Sequence, residues 1–100
     1  MFLKKGKTSR GFFLIEFQDR YGTECTIQKS SLVEENAIWF GVDNPKPQIL
    51  ASKTPEGGTG WVSYPLPDDV HIFTRMHLTQ KQVKKLIPIL QHFVETGELK

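Results

Sequence analysis

The sequence predicts an α+β fold: an antiparallel sheet of four to six short strands with one C-terminal amphipathic helix, kinked at Pro88, packed on one face. Two observations lead there. Short segments with period-two alternation recur between turn residues from Gly11 onward. An apolar stripe at spacings of three and four then runs from Val83 to Val94. At 100 residues the chain has the length of one domain. The reading is a flexible basic arm over residues 1–10 followed by a single α+β domain over 11–100.

The arm is rich in Lys, Gly, Thr and Ser. In the first predicted strand Phe13, Ile15 and Phe17 share one face, and Phe12, Leu14 and Glu16 the other. Asp19-Arg20-Tyr21-Gly22 reads as a turn, with Asp at its first position and Gly in a left-handed conformation. Cys25 and Ile27 alternate with Thr26 and Gln28 and complete a hairpin. Ser30 to Asn36 is a polar connection. Ala37 to Val42 reads as a largely buried strand, and Asp43 to Pro47 must turn because proline fixes φ and restricts the residue before it. Gln48 to Ala51 is a short strand, Lys53 to Gly60 a glycine-rich loop, and Trp61 to Tyr64 an edge strand beside Pro65 and Pro67. Val70 to Met76 alternates once more, with His71, Phe73 and Arg75 on one face. Thr79 and Gln82 form a capping-box pattern ahead of the helix, and Gly97 fits its C-terminal stop. Pro88 lies inside the helical pattern and removes the bond to residue 84. It predicts a kink near 84–88 or two short helices in tandem.

Composition narrows the function classes. Apolar residues make up 38% and charged residues 24%, as in an ordinary globular chain. A domain this small buries about 60–70% of its unfolded surface, which favours a shallow groove or flat interface over a deep cofactor cavity. The net charge of +2, from 13 basic and 11 acidic side chains, is too balanced to imply nucleic-acid binding by itself. The exception is local: Lys4, Lys5, Lys7 and Arg10 have no acidic neighbour in the first ten residues. The single cysteine excludes an intramolecular disulfide and favours a reducing cytosol. No apolar run approaches the roughly 20 residues of a membrane span, and no secretion-signal h-region follows the basic start. The expectation is a cytoplasmic protein without a membrane partner.

Each candidate for chemistry has a structural alternative. Cys25 could be a nucleophile if a histidine lay beside it, but its alternation with Ile27 places it on an apolar strand face as a small hydrophobe. His71 and His77, read on one strand, stand roughly 20 Å apart at about 3.3 Å per residue, too far to share an ion. His92 falls on the polar side of the helix. No metal site, catalytic residue or cofactor is therefore expected. Gly57-Gly58-Thr59-Gly60 lacks the spacing of a phosphate loop and reads as a hairpin tip. The acidic pairs Glu34-Glu35 and Asp68-Asp69 diverge on extended chain. His71, Phe73 and Arg75 form a mixed basic and aromatic strip suited to stacking or to an acidic partner. Trp61 and Tyr64 beside the glycine loop read as an exposed contact, and Lys81 and Lys85 as a basic helix face. These seven are the candidate binding residues, for protein or nucleic acid. One helix covers only one face of such a sheet, which leaves room for a homodimer.

Two stretches carry a resemblance. One is Arg10-Gly11-Phe12 with Glu16-Phe17 and Asp19-Arg20-Tyr21-Gly22 on to Ser31-Leu32. The other runs from Arg75-Met76-His77-Leu78-Thr79 through Phe93-Val94-Glu95-Thr96-Gly97-Glu98-Leu99. Together they resemble a group of short uncharacterised proteins encoded by bacteriophages and prophages. That resemblance implies a host-cell setting and a non-enzymatic inhibitor that occludes a host protein or protein–nucleic-acid complex, including defence systems such as CRISPR complexes. It attaches no catalytic residue to this chain. The alternative is a small nucleic-acid-binding accessory protein using the basic arm and the sheet face.

Overall fold

A computed structural model describes residues 2–99, which fall into two compact units. One is built from the chain up to Asp43 and from Arg75 onward; the other is Asn44–Thr74. In the first unit, β1 (Lys4–Lys7), β2 (Phe13–Gln18), β3 (Glu24–Lys29), β4 (Ala37–Val42) and β7 (Arg75–Thr79) form one sheet in the order β1-β2-β3-β4-β7, every pair antiparallel. The second unit holds a two-stranded sheet of β5 (Gln48–Leu50) and β6 (Trp61–Ser63), joined through a 3₁₀ turn at Ala51–Lys53. A helix α1 (Gln80–Thr96) follows β7 directly. The α+β class predicted from the alternation holds, as a five-stranded sheet, a second two-stranded sheet and one C-terminal helix.

The registers sort the large sheet into two faces. Lys5, Ile15, Ile27, Phe40 and Met76 form one cross-strand row, with Phe17, Cys25, Ile38, Val42 and Leu78 on the same apolar face. There Phe17 meets Phe40 edge to face at 6.1 Å, a favoured aromatic geometry. The other face is polar: one row runs Lys4, Glu16, Thr26, Gly41, Arg75, and the next runs Gly6, Leu14, Gln28, Trp39, His77. The β2–β3 turn forms as expected. The Asp19 carboxylate accepts hydrogen bonds from the Tyr21 and Thr23 N–H groups, and Gly22 takes φ +80°.

The sequence reading is corrected at four places. Residues 4–7 are not a flexible arm but the edge strand β1. They have no apolar alternation to announce them, and their order comes from backbone pairing with β2 after a turn at Thr8–Gly11. Val70–Thr74 is not strand: β7 begins at Arg75, where pairing with Gly41 starts. His71 and Phe73 therefore belong to the second unit and do not share a strand with Arg75. The two-helix alternative at Pro88 does not occur, since one helix runs from Gln80 to Thr96 with Pro88 inside it.

The fourth correction concerns the helix face. Thr79 is both the last residue of β7 and the N-cap of α1, with the full capping box to Gln82. No connecting residue is left to turn the helix back over the sheet, and helix–strand connections usually need about two to six. The start of the helix borders the sheet, where Val83, Lys84 and Ile87 share a groove with Ile38 and Leu78. No residue of α1 is buried, so its stripe is not packed as a core. Among the described residues the buried apolar side chains are Cys25, Ala37 and Ala51, and no large side chain is fully buried. No helix among the described residues is long and apolar enough to cross a membrane.

Candidate functional site

The most organised side-chain cluster lies on the polar face of the large sheet, where β3, β4 and β7 run side by side. Trp39 and His77 are cross-strand partners. Their rings stack with centroids 3.9 Å apart and planes 7° apart. Two residues earlier on the same face of β7, the Arg75 guanidinium lies 5.8 Å from the Trp39 ring centroid. Its Nη1 donates to the Gln28 side-chain oxygen at 3.2 Å. His77 Nε2 lies 2.9 Å from the Ser30 hydroxyl, which itself accepts from the Leu32 N–H.

This arrangement follows from strand parity. Trp39 sits between Ile38 and Phe40, and His77 between Met76 and Leu78, so the apolar neighbours take one face and the polar aromatics the other. β3 supplies Gln28 on the same face, and Ser30, buried just past its end, comes from the same chain segment. Both second partners are thus held by backbone pairing, Ser30 through its own N–H bond to the Ala37 carbonyl. Nearby, the buried Thr26 hydroxyl donates to the Asp43 carboxylate at 2.7 Å and anchors the middle of the face.

The cluster offers a cation, two aromatic rings and several hydrogen-bonding groups in fixed positions. A half-buried Arg75 and Trp39 with an exposed His77 edge can stack a planar group, pair with a carboxylate or phosphate, or anchor a protein side chain. Little side-chain entropy remains to be lost on binding, because the rings and the guanidinium already have partners.

The other expected binding residues are dispersed. His71 and Phe73 contact each other in the second unit at a ring separation of 4.4 Å, with Phe73 79% exposed. Trp61 on β6 is 63% exposed and Tyr64, just past that strand, 51%. Lys81 and Lys85 are exposed on α1, one turn apart. Of the seven, only Arg75 enters the polar-face cluster. Trp39, His77, Gln28 and Ser30 complete it, and none of these four is among the binding residues that the sequence points to. The signal for the pair was present in both segments as a ring between two apolar neighbours, but the β4–β7 register that joins them is not local.

Cys25 behaves as the alternation implies. It is 6% exposed, and its Sγ donates to the Thr23 carbonyl at 3.4 Å. Burial pushes its thiol up, and the nearby Asp19 and Asp43 carboxylates push it further. That is the environment of a core thiol, whereas a reactive cysteine sits where the thiolate is favoured. The carboxyl of Asp19 is held below its ordinary value by the Thr23 and Tyr21 N–H groups. Among the described residues no three His, Cys, Asp or Glu side chains converge as metal ligands.

No protein-family model matches the chain, and comparison with curated proteins and with solved structures gives no match either.

Proposed function

We propose that this chain is a small non-enzymatic binding protein of phage or prophage origin. It acts in the host cytoplasm by covering part of a host protein or protein–nucleic-acid complex, as an anti-defence inhibitor does. The observation that supports this reading is the Arg75–Trp39–His77 stack. Trp and Arg are the residue types that dominate binding energy at protein interfaces, and here both are held in advance, half-exposed, on one sheet face. Ordered anchors spread over an open sheet face suit occlusion of a partner surface better than enclosure of a small molecule.

Nucleic-acid binding is the second reading, and it rests on Lys4, which shares a cross-strand row with Arg75. The row also contains Glu16, and Lys5 and Lys7 belong to the opposite face, so the basic strand and the polar face do not make one continuous cationic surface. A protein partner fits that charge pattern better.

The test is affinity capture from bacterial lysate with the wild-type chain and with Arg75→Ala and His77→Ala, each confirmed folded by circular dichroism. A host protein retained by wild type, lost by both variants and indifferent to nuclease supports the proposal. Capture that vanishes on nuclease treatment, or that both variants retain in full, overturns it.

A further inference from the structure

Arg75 is a cation without a counter-ion. Its guanidinium is half-buried, and its partners, the Gln28 side-chain oxygen at 3.2 Å and the Trp39 ring at 5.8 Å, are both neutral. Among the described residues no carboxylate pairs with it. The acids on the same sheet face are engaged elsewhere or distant. Glu24 accepts from the Gln18 side-chain amide at 2.9 Å, and Asp43 from the Thr26 hydroxyl at 2.7 Å. Glu16 shares the Arg75 row but stands three strands away, about 14 Å at the usual strand spacing. A partly desolvated cation with no anion beside it is unfavourable in the free protein.

We infer that Arg75 is the receptor for a carboxylate on the partner protein, an Asp or Glu side chain presented to this sheet face. The inference rests on the reading of the chain as a binding protein and gives that partner its chemistry. The guanidinium is a planar fork of N–H donors, and the Gln28 contact occupies only Nη1. A carboxylate takes two parallel N–H bonds from such a fork, a geometry that an ammonium cannot offer. Gln28 and Trp39 hold the fork before the partner arrives, which lowers the entropy lost on binding. Gly41, the cross-strand partner of Arg75, puts no side chain directly opposite it.

Charge on the face selects a single carboxylate over a phosphate chain. One strand of nucleic acid carries a negative charge about every 3.4 Å, and its binding needs several cations in line. Besides Arg75 and the His77 ring, the ionisable side chains of this face are Lys4 at the far edge and the acids Glu16, Glu24 and Asp43. A polyanion laid across the face meets those three acids. One carboxylate aimed at Arg75 does not.

The test is selection from a random library of short peptides by the full chain, run in parallel on wild type, Arg75→Lys and Arg75→Gln, each confirmed folded by circular dichroism. Wild type should enrich peptides that share an Asp or Glu, and Arg75→Gln should lose that preference. Arg75→Lys keeps the charge but not the fork, so it should keep the preference with weaker affinity. In the tightest wild-type peptide, replacing the shared acid by its amide should weaken binding about 10- to 100-fold, the worth of a charge-assisted hydrogen bond. Should Arg75→Gln fail to fold, Arg75→Lys and the acid-to-amide peptide carry the test. A wild-type pool without acidic preference, the same preference in Arg75→Gln, or tighter binding when phosphoserine replaces the shared acid would each overturn the proposal. The lysate capture is a separate result. A captured host protein beside a peptide pool with no acidic preference sinks this inference and leaves the proposed function standing. A failed capture beside acid-selective peptides counts against the host-protein reading alone.

Discussion

The imidazole of His77 lies flat on the indole of Trp39, 3.9 Å between centroids, although 38 positions of sequence separate them. The whole second unit is inserted between the strands that carry these two rings. The stack therefore depends on correct pairing of β4 with β7, and it reports that pairing. Removing the imidazole also leaves the buried Ser30 hydroxyl without its ring partner. His77→Ala should cost about 1.5–2.5 kcal/mol of stability, from a stacked pair worth about 0.5–1.5 and a hydrogen bond of about 1. A double-mutant cycle with Trp39→Leu, followed by urea denaturation, should give a coupling energy of at least about 0.5 kcal/mol. Additive losses would mean that the contact contributes nothing.

Asp19 controls the acid limb of the hairpin turn. Its folded pKa is lowered by the Thr23 and Tyr21 N–H groups. A lowered carboxyl stabilises the fold above its unfolded value, near 3.8, and that contribution disappears as pH falls through the folded value. Stability measured by denaturant midpoint should therefore decline below about pH 4 more steeply in wild type than in Asp19→Asn. Parallel acid profiles for the two proteins would refute this.

Cys25 gives the opposite sign at the alkaline end. Its folded pKa is raised above the ordinary value of 9.0, mainly by burial. The neutral thiol is the favoured native form, so its contribution is complete below that value and is lost as pH rises through the folded pKa. Alkylation of native protein by iodoacetamide at pH 8 should be at least tenfold slower than alkylation of unfolded protein. Cys25→Ala, which cannot ionise, should flatten the stability decline above pH 9. Rapid labelling of the native chain would show that the thiol is accessible.

Much of the fold was legible because its signals are local. Alternation at Phe13–Phe17 and Cys25–Gln28 around a turn with Asp and Gly specifies the β2–β3 hairpin through neighbours alone. Thr79, Gln82 and Gly97 likewise mark both ends of α1, and Gly97 takes φ +78° there. What escaped depends on distant partners. Lys4–Lys7 is a strand only because β2 offers an edge. Val70–Thr74 alternates as a strand should, but among the described residues it belongs to neither sheet. The stripe on α1 identifies an apolar face without saying what covers it. The Arg75–Trp39–His77 cluster needed the β4–β7 register, which no segment contains by itself.

Pro88 sits inside an uninterrupted helix, where it can neither donate to the Lys84 carbonyl nor relieve its ring contact with that turn without local distortion. A proline in a helix interior costs about 3 kcal/mol relative to alanine when nothing else requires it. Its ring points away from the Leu90 stripe, so removal should leave any surface on that side intact. Pro88→Ala should accordingly raise stability by about 1–3 kcal/mol, read by thermal and urea denaturation at one fixed protein concentration, with no change in molecular mass. A loss of stability would mean that the distortion at Pro88 is needed to shape the helix for whatever covers its apolar side. A gain accompanied by a change of mass would mean that Pro88 itself influences association.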